Sequence, residues 1–207
     1  MKILQVGIVF YLLVSCAGPK AMKSDGWVSL FDGKSLNGWK VAENPETFSV
    51  DSGMIRVYGK RAHLFYDGEV SNHDFTNFHF KMEVMTTPGS NSGIYFHTQY
   101  QAVGFPSTGF ETQVNNSHTD WRRSGSLYAI HDVREVFVKD NEWYTHEIIV
   151  VGKSVEVKLN GKTVMQYTEP VNPTGNRIIS SGTFALQGHD PKSRIYYRNI
   201  MVKHLPQ

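Results

Sequence analysis

Three short runs between residues 78 and 114 alternate between apolar and polar side chains. Because successive side chains of a β-strand point to opposite faces of a sheet, this alternation predicts three strands, each with one buried face. The residues predicted to face the core are Phe78, Phe80, Met82, Val84, Ile94, Phe96, Thr98, Phe110, Thr112 and Val114. The residues predicted on the opposite face are His79, Lys81, Glu83, Tyr95, His97, Gln99, Glu111, Gln113 and Asn115. This second face is rich in groups that bind ligands or transfer protons, so we expect a functional site on it.

The rest of the chain continues as short strands separated by turn-forming residues. The dipeptide Asn160-Gly161 is the strongest hairpin signal, and a further strand is predicted at residues 126–131. No helical pattern extends beyond a turn or two, while the chain contains 18 glycines and 13% aromatic residues. The sequence therefore predicts an all-β fold of about a dozen strands, a two-sheet antiparallel jelly-roll sandwich in a single domain.

The charge balance argues against a polyanionic partner. The formal net charge of the 207 residues is +2, and the basic residues form no run or stripe. Nucleic acid binding depends on such a basic surface, so we expect none.

The first residues have the features of a bacterial lipoprotein leader. Lys2 precedes an apolar segment too short to span a bilayer as a helix, and Leu13-Val14-Ser15-Cys16 resembles a lipobox. We therefore predict a signal peptide at residues 1–16 with lipidation of Cys16, a tether at residues 17–25 and one folded domain at residues 26–207. Ala17 favours the outer membrane of a Gram-negative bacterium, on its periplasmic face or at the cell surface. The alternative is an ordinary cleaved signal with an incidental cysteine.

An ordered set of motifs is similar to a known family. The set includes residues 30–39 (LFDGKSLNGW), 91–96 (NSGIYF), 109–114 (GFETQV), 125–128 (GSLY), 157–162 (VKLNGK), 184–189 (FALQGH) and 197–200 (YRNI). In this order they resemble the 3-keto-disaccharide hydrolase family, formerly domain of unknown function 1080, from about Trp27 to Leu205.

The resemblance implies a concanavalin A-like sandwich whose concave sheet binds a sugar. It also implies hydrolysis of glycosides that are already oxidised at C3. Many members of the family have Gln-Asp-His where this chain has Gln187-Gly188-His189, so this chain offers no carboxylate at position 188.

Glu111 is the first catalytic candidate. An ordinary glycosidase uses two carboxyl groups, and the nearby Gln113 and the more distant Glu83 do not make a convincing pair with it. A 3-keto group acidifies the hydrogen at C2, so one base could start an elimination, and water could then add to complete a net hydrolysis.

Histidines supply further candidates for the base. His131, followed by Asp132, leads this group, and His97 and His189 follow, because imidazole titrates near neutral pH. Each could instead be a histidine with a purely structural role. Substrate contacts are assigned to Gln113, Tyr95, Asn91, Arg61, Arg123, Trp121, Gln187 and His189.

A divalent metal stays an open expectation. His97, Glu111, His131 and His189 could converge on one ion that polarises the keto oxygen. Loop oxygens of Asn115, Asn116 and Asp120 could instead hold calcium.

The sequence thus predicts a glycoside-cleaving enzyme that acts on 3-keto-glycosides or 3-keto-disaccharides. The competing class is a non-catalytic carbohydrate-binding module, because the same sandwich also serves for binding alone. A two-carboxylate glycosidase acting on unoxidised glycans is the third class, and Gln113 argues against it. Turnover separates the enzymes from the binding module.

Overall fold

The structure is a computed structural model that describes residues 25–175 and 177–206. The predicted signal peptide, Cys16 and all of the predicted tether except Asp25 lie outside the described residues. Within these ranges no helix is long and apolar enough to cross a bilayer.

The described chain consists of short strands joined by turns, with two brief 3₁₀ helices at Pro45–Thr47 and Val70–His73. The strands are β1 (Trp27–Ser29), β2 (Trp39–Ala42), β3 (Phe48–Asp51), β4 (Met54–Val57), β5 (Ala62–Tyr66), β6 (Phe78–Thr86), β7 (Ser92–Thr98), β8 (Phe110–Val114), β9 (Tyr144–Val151), β10 (Ser154–Leu159), β11 (Lys162–Thr168), β12 (Thr183–Gly188) and β13 (Ile195–His204).

The strands form two antiparallel sheets. The larger, eight-stranded sheet has the order β11-β10-β9-β6-β13-β4-β3, with β1 also paired to β13. The smaller sheet has the order β2-β5-β12-β7-β8. The predicted all-β, two-sheet sandwich is therefore confirmed.

The core lies between the sheets and contains nine of the ten residues that the alternation in the sequence assigned to it. The tenth, Thr98, is buried but lies on the outer side of the smaller sheet, because the strand bulges at His97. All ten predicted core residues of β6, β7 and β8 are at most 1% exposed. Phe184 of the smaller sheet packs against Phe78 and Phe80 of the larger sheet, with ring centroids 4.9 and 4.4 Å apart. These contacts join the two layers.

The prediction that the polar face of β6 lies beside the polar faces of β7 and β8 is wrong. β6 pairs with β9 and β13 in the larger sheet, whereas β7 pairs with β8 and β12 in the smaller one. The polar face of β6 therefore lies on the other outer surface, where the Glu83 carboxylate is 2.6 Å from Nε of Arg198. Glu83 and Glu111 do not share a face, because the turn after β6 carries the chain across the sandwich.

The strand predicted at residues 126–131 is also wrong, whereas the hairpin at Asn160-Gly161 is confirmed. Leu127 makes only isolated bridges, to Thr112 and to His131. The left-handed φ of 59° at Ala129 folds the segment back on itself. Asn160 and Gly161 have φ of 51° and 76°, as a tight hairpin turn requires.

Candidate active site

A polar pocket of about 280 Å³ opens on the outer face of the smaller sheet. It is called here the Glu111 pocket. Its lining residues are Asn91, Tyr95, Phe105, Pro106, Glu111, Gln113, Asp120, Tyr128, Arg177, Gln187 and His189. Six of them were predicted from the sequence as site residues: Asn91, Tyr95, Glu111, Gln113, Gln187 and His189.

Strand pairing explains why four of these six come together. In the β7–β8 register Tyr95 lies opposite Glu111, and Gly93 lies opposite Gln113. The alternation of side chains then puts Tyr95, Glu111 and Gln113 on one face. Gln187 joins them from β12, the neighbour of β7 on its other side.

Gly93 leaves the space in which the Glu111 side chain lies. A Cβ at position 93 would be 2.1 Å from Glu111 Oε1 and 2.7 Å from its Cδ. Any larger residue would therefore displace the carboxyl group. The glycine of the Asn91-Ser92-Gly93 motif is required here because it lacks a side chain.

Glu111 is a buried acid held by neutral donors. Only 6% of it is exposed. The Tyr95 hydroxyl donates to Oε2 at 2.8 Å, and Nε2 of Gln187 donates to Oε1 at 3.0 Å. Burial raises the pKa of Glu111 to about 7, although these two hydrogen bonds and the charge of Arg177 favour the ionised form. Glu111 can therefore bind or release a proton near neutral pH.

Two buried carbonyl oxygens beside Glu111 have no protein partner. Gln113 donates through Nε2 to Asn91 Oδ1 at 2.5 Å, and Gln187 donates to Tyr95 and Glu111. Oε1 of both glutamines is buried without a hydrogen bond. Buried acceptors without a partner are costly, so this pocket suits a ligand that brings hydroxyl donors.

Arg177 is a cationic wall of the pocket that the sequence analysis missed. Its Nη1 donates to the Tyr128 carbonyl at 2.9 Å. The loop that carries it is fixed at Ile179, whose N–H donates to the buried Glu169 carboxylate at 2.5 Å. Lys153 is also 2.8 Å from this carboxylate. These tertiary contacts hold the loop that carries Arg177 beside the smaller sheet.

Asp120 adds a second carboxyl group that the sequence analysis considered only as a calcium ligand. Its Oδ1 accepts from the backbone N–H of Arg122 at 2.9 Å and is 3.5 Å from Nη1 of that residue. Its charge raises the pKa of Glu111, as expected for two acids around one pocket. The expectation that Glu111 has no carboxylate partner is therefore wrong.

Of the histidines in the described ranges, His189 alone lines the Glu111 pocket. Its Nδ1 is 2.9 Å from Oδ2 of Asp190, a carboxylate that also accepts from Ser193. The paired carboxylate orients the imidazole ring, as in many acid–base sites.

A loop at residues 99–109 forms the wall that carries Phe105 and Pro106. The Gln101 amide donates to the carbonyls of Val103 and Phe105, both at 2.7 Å. The Phe105 ring covers His63, with centroids 5.6 Å apart. His63 is fully buried, both ring nitrogens lack a partner, and burial lowers its pKa to about 4. His63 is therefore neutral at physiological pH.

The structure places His131 outside the pocket, contrary to the prediction. His131 is exposed and bridges Leu127 through its backbone. Asp132 does not orient it, because its Oδ1 accepts from the Ala129 N–H at 3.0 Å and is 3.2 Å from Nε of Arg122. The prediction assumed a strand that does not form.

His97 is also outside the pocket. Its φ of 52° marks a bulge, and the β7–β12 register shifts at this point. Nε2 donates to the Thr76 carbonyl at 3.0 Å, and Nδ1 accepts from the Ser180 N–H at 3.3 Å. Burial lowers the pKa of His97. With both nitrogens bonded, the ring is not available as a base for this pocket.

Three predicted substrate contacts lie beside the pocket rather than in its lining. Arg61 is 3.0 Å from Glu43 and lies 5.3 Å from the centroid of the Phe105 ring. Arg123 donates to three loop oxygens, including the Asp120 carbonyl at 2.7 Å. Trp121 packs against the guanidinium groups of Arg122 and Arg134. These side chains brace the pocket walls.

The residues considered for a metal do not converge. Within residues 25–175 and 177–206, no group of three or more His, Cys, Asp or Glu side chains is arranged to hold an ion. In the loop considered for calcium, the Asn115 amide donates to the carbonyls of Asp120 and Arg122 at 2.9 and 2.7 Å. That amide therefore supports the loop.

The fold and site define a class of protein: a concanavalin A-like sandwich with a polar pocket on one outer face. A candidate glycosyl hydrolase from Parabacteroides distasonis has this fold, with a TM-score of 0.75, 24% identity and coverage of 89% of this chain and 96% of that one. The carbohydrate-binding module CBM66 from Bacillus subtilis also has it, with a TM-score of 0.60, 12% identity and coverage of 80% and 95%. At these identities the likeness shows the fold alone.

A sequence match identifies the family of this chain. Residues 26–203 match the model of the 3-keto-alpha-glucoside-1,2-lyase-like domain, so the chain belongs to this family, and the predicted resemblance is confirmed. A 3-keto-disaccharide hydrolase from Bacteroides thetaiotaomicron is 26% identical over 171 residues, which cover 70% of this chain. The chain spans 59% of the length of that relative.

Proposed function

We propose that this protein cleaves glycosides of 3-keto sugars, by removal of the C2 proton, elimination of the aglycone and addition of water. The observation that carries the proposal is Glu111, an acid 6% exposed with a pKa raised to about 7, in a pocket with unpaired hydrogen-bond acceptors. The family membership and the name of the Bacteroides relative support the substrate class.

In the first step the ionised Glu111 takes the proton from C2. The electrons of the C–H bond form an enolate whose charge resides mainly on the C3 oxygen, and the C1–O bond then breaks. Arg177 supplies positive charge on the pocket wall for the developing anion. The leaving oxygen needs a proton, and we assign its donation to His189, which lines the same pocket and is paired with Asp190.

The second step restores the sugar. Water adds across the new C1–C2 double bond, with hydroxyl at C1 and a proton at C2. The protonated Glu111 exchanges its proton with solvent and then donates one to C2, while the attacking water gives its second proton to His189. The pair of steps thus amounts to hydrolysis with no net change in the enzyme.

A chemically prepared 3-keto-glucoside and its unoxidised parent, each assayed in deuterated water, test the proposal. We expect release of the aglycone from the keto compound alone, with deuterium at C2 of the released sugar. Release from the parent compound, lost in both Glu111→Gln and Asp120→Asn, would instead show a two-carboxylate glycosidase. Sugar binding without release from either compound would show a carbohydrate-binding module, a function compatible with the same fold.

The Tyr95 hydroxyl is expected to tune the base. Because it donates to Glu111 and favours the ionised form, Tyr95→Phe should raise the pKa of Glu111 further. The rise of kcat/KM with pH should then move to higher pH, with a several-fold lower rate at pH 7. A pH–rate profile measures this. Tyr58→Phe, far from the pocket on the Arg194 side chain, is the control, and an unchanged profile in Tyr95→Phe would contradict the role of the hydroxyl.

We further propose that the protein is exported and anchored to the outer membrane through a lipid on Cys16. The lipobox-like sequence before Cys16 supports this. Wild-type protein labelled with palmitate in a Gram-negative host should carry the label and sediment with membranes, whereas Cys16→Ala should do neither. If Cys16→Ala protein still sediments with membranes, the proposal is wrong.

A further inference from the structure

We propose that a second pocket, on the same face of the smaller sheet, binds a neutral saccharide independently of the Glu111 pocket. It has a volume of about 330 Å³ and is called here the Thr98 pocket. Its lining includes Phe65, Asp67, Asp74, Thr98, Tyr100 and Thr183. This inference does not depend on the proposed reaction.

The register of the smaller sheet locates the two pockets. Ala185 of β12 lies opposite both Phe65 of β5 and Tyr95 of β7. Two residues along β12 from Ala185 in one direction is Gln187, in the Glu111 pocket. Two residues in the other direction is Thr183, in the Thr98 pocket. Since two residues of a strand span about 7 Å, Gln187 and Thr183 are about 14 Å apart along β12. The loop at residues 99–109 lies between the pockets and lines both.

The hydroxyl group of Thr98 points to a ligand, because it is buried and has no hydrogen-bond partner. The bulge at His97 returns Thr98 to the outer face, where it pairs with Thr183. Thr98 is 0% exposed and its Oγ1 has no hydrogen-bond partner, whereas Oγ1 of Thr183 donates to the Tyr66 carbonyl at 2.6 Å. A buried hydroxyl without a partner destabilises the fold, and a hydrogen bond to a ligand hydroxyl would remove this cost.

Tyr100 gives the pocket an apolar wall. Tyr100 is 43% exposed, and its ring makes an edge contact with Phe65 at 5.4 Å between centroids. Lys40 lies 3.9 Å from the ring centroid. An exposed aromatic ring offers a surface to the C–H face of a pyranose, and the phenol oxygen stays in solvent.

The charges in the Thr98 pocket favour a neutral polyhydroxyl ligand. The Asp67 and Asp74 carboxylates disfavour anions but accept hydrogen bonds from hydroxyl groups. A metal ion is not indicated, because the described ranges contain no cluster of three acidic, His or Cys ligands. An aromatic wall, acceptors on the rim and an unpaired hydroxyl on the floor together match a sugar ring.

The experiment titrates unoxidised glucose disaccharides (maltose, cellobiose and sophorose) into the protein, with binding followed by calorimetry and ligand-observed NMR. We expect at least one disaccharide to bind in the millimolar range. Thr98→Val and Tyr100→Ala should each weaken its binding about tenfold, the loss of roughly one good contact. Gln113→Ala, in the Glu111 pocket, is the matched control and should keep the affinity.

Thr98→Val also has a stability readout that separates loss of the ligand contact from misfolding. Because the hydroxyl it removes has no partner, this variant should unfold at the same temperature as wild type or higher. Thr183→Val, which removes a bonded hydroxyl, should unfold at a lower temperature. The proposal is overturned if no disaccharide binds wild-type protein, or if neither Thr98→Val nor Tyr100→Ala weakens the binding.

Discussion

Glu111→Gln is expected to lower the turnover of a 3-keto-glucoside by about 10²–10⁴-fold, the range typical for loss of a general base. The amide has the size of the carboxyl group and can still accept from Tyr95, but it cannot take the C2 proton. Substrate affinity should therefore change little. Initial rates and calorimetric titration of the variant measure the two effects separately.

Glu83→Gln is the matched control for this loss. Glu83 is on the outer face of the larger sheet, where it pairs with Arg198, and should not affect the rate. If Glu111→Gln retains wild-type turnover, Glu111 is not the base.

In wild-type protein kcat/KM should rise with pH through about 7, because only the ionised form of Glu111 accepts a proton.

Glu111→Gln should also stabilise the fold at high pH. The pKa of Glu111 is about 7 in the folded protein, against an ordinary value of 4.5. As pH rises from 4.5 to 7, the unfolded chain loses this proton first, so the stability associated with the protonated acid is lost. The cost is on the order of 3 kcal/mol at pH 8. Glu111→Gln should thus raise the unfolding temperature at pH 8 but not at pH 4, and equal effects at both would contradict the raised pKa.

Gly93→Ala is expected to lower turnover about 100-fold although it leaves every group that contacts the reacting atoms chemically unchanged. The new Cβ would be 2.1 Å from Glu111 Oε1, so the carboxyl group must move by about 1 Å or more, a displacement sufficient for such a loss. Crowding should also destabilise the fold by about 1–3 kcal/mol. Kinetics and thermal unfolding of the variant measure both.

A double-mutant cycle with Glu111→Ala is the control for Gly93→Ala. If the clash is with the Glu111 side chain, alanine at position 93 should cost much less stability when Glu111 is already alanine. Equal costs in both backgrounds, or wild-type turnover of Gly93→Ala, would show that Gly93 does not set the position of the carboxyl group.

Alternation along the chain was sufficient to predict the core and the face that carries Glu111. Tyr95, Glu111 and Gln113 were assigned correctly to one face because side-chain direction in a strand follows from local backbone geometry. The same argument failed at His97. A single bulged residue changes the side-chain direction, and its positive φ leaves no signal in an ordinary apolar–polar pattern.

The sequence by itself determined that the chain forms a two-sheet sandwich, which residues fill it, and that Glu111 lies on a polar face. The tertiary structure decided which strands share a sheet, so Glu83 and Glu111 are on opposite surfaces. It also brought Asp120 and Arg177 to Glu111 from loops without a periodic pattern. Side-chain direction is a local property of the backbone, whereas sheet pairing and loop closure depend on contacts between residues that are distant in the chain.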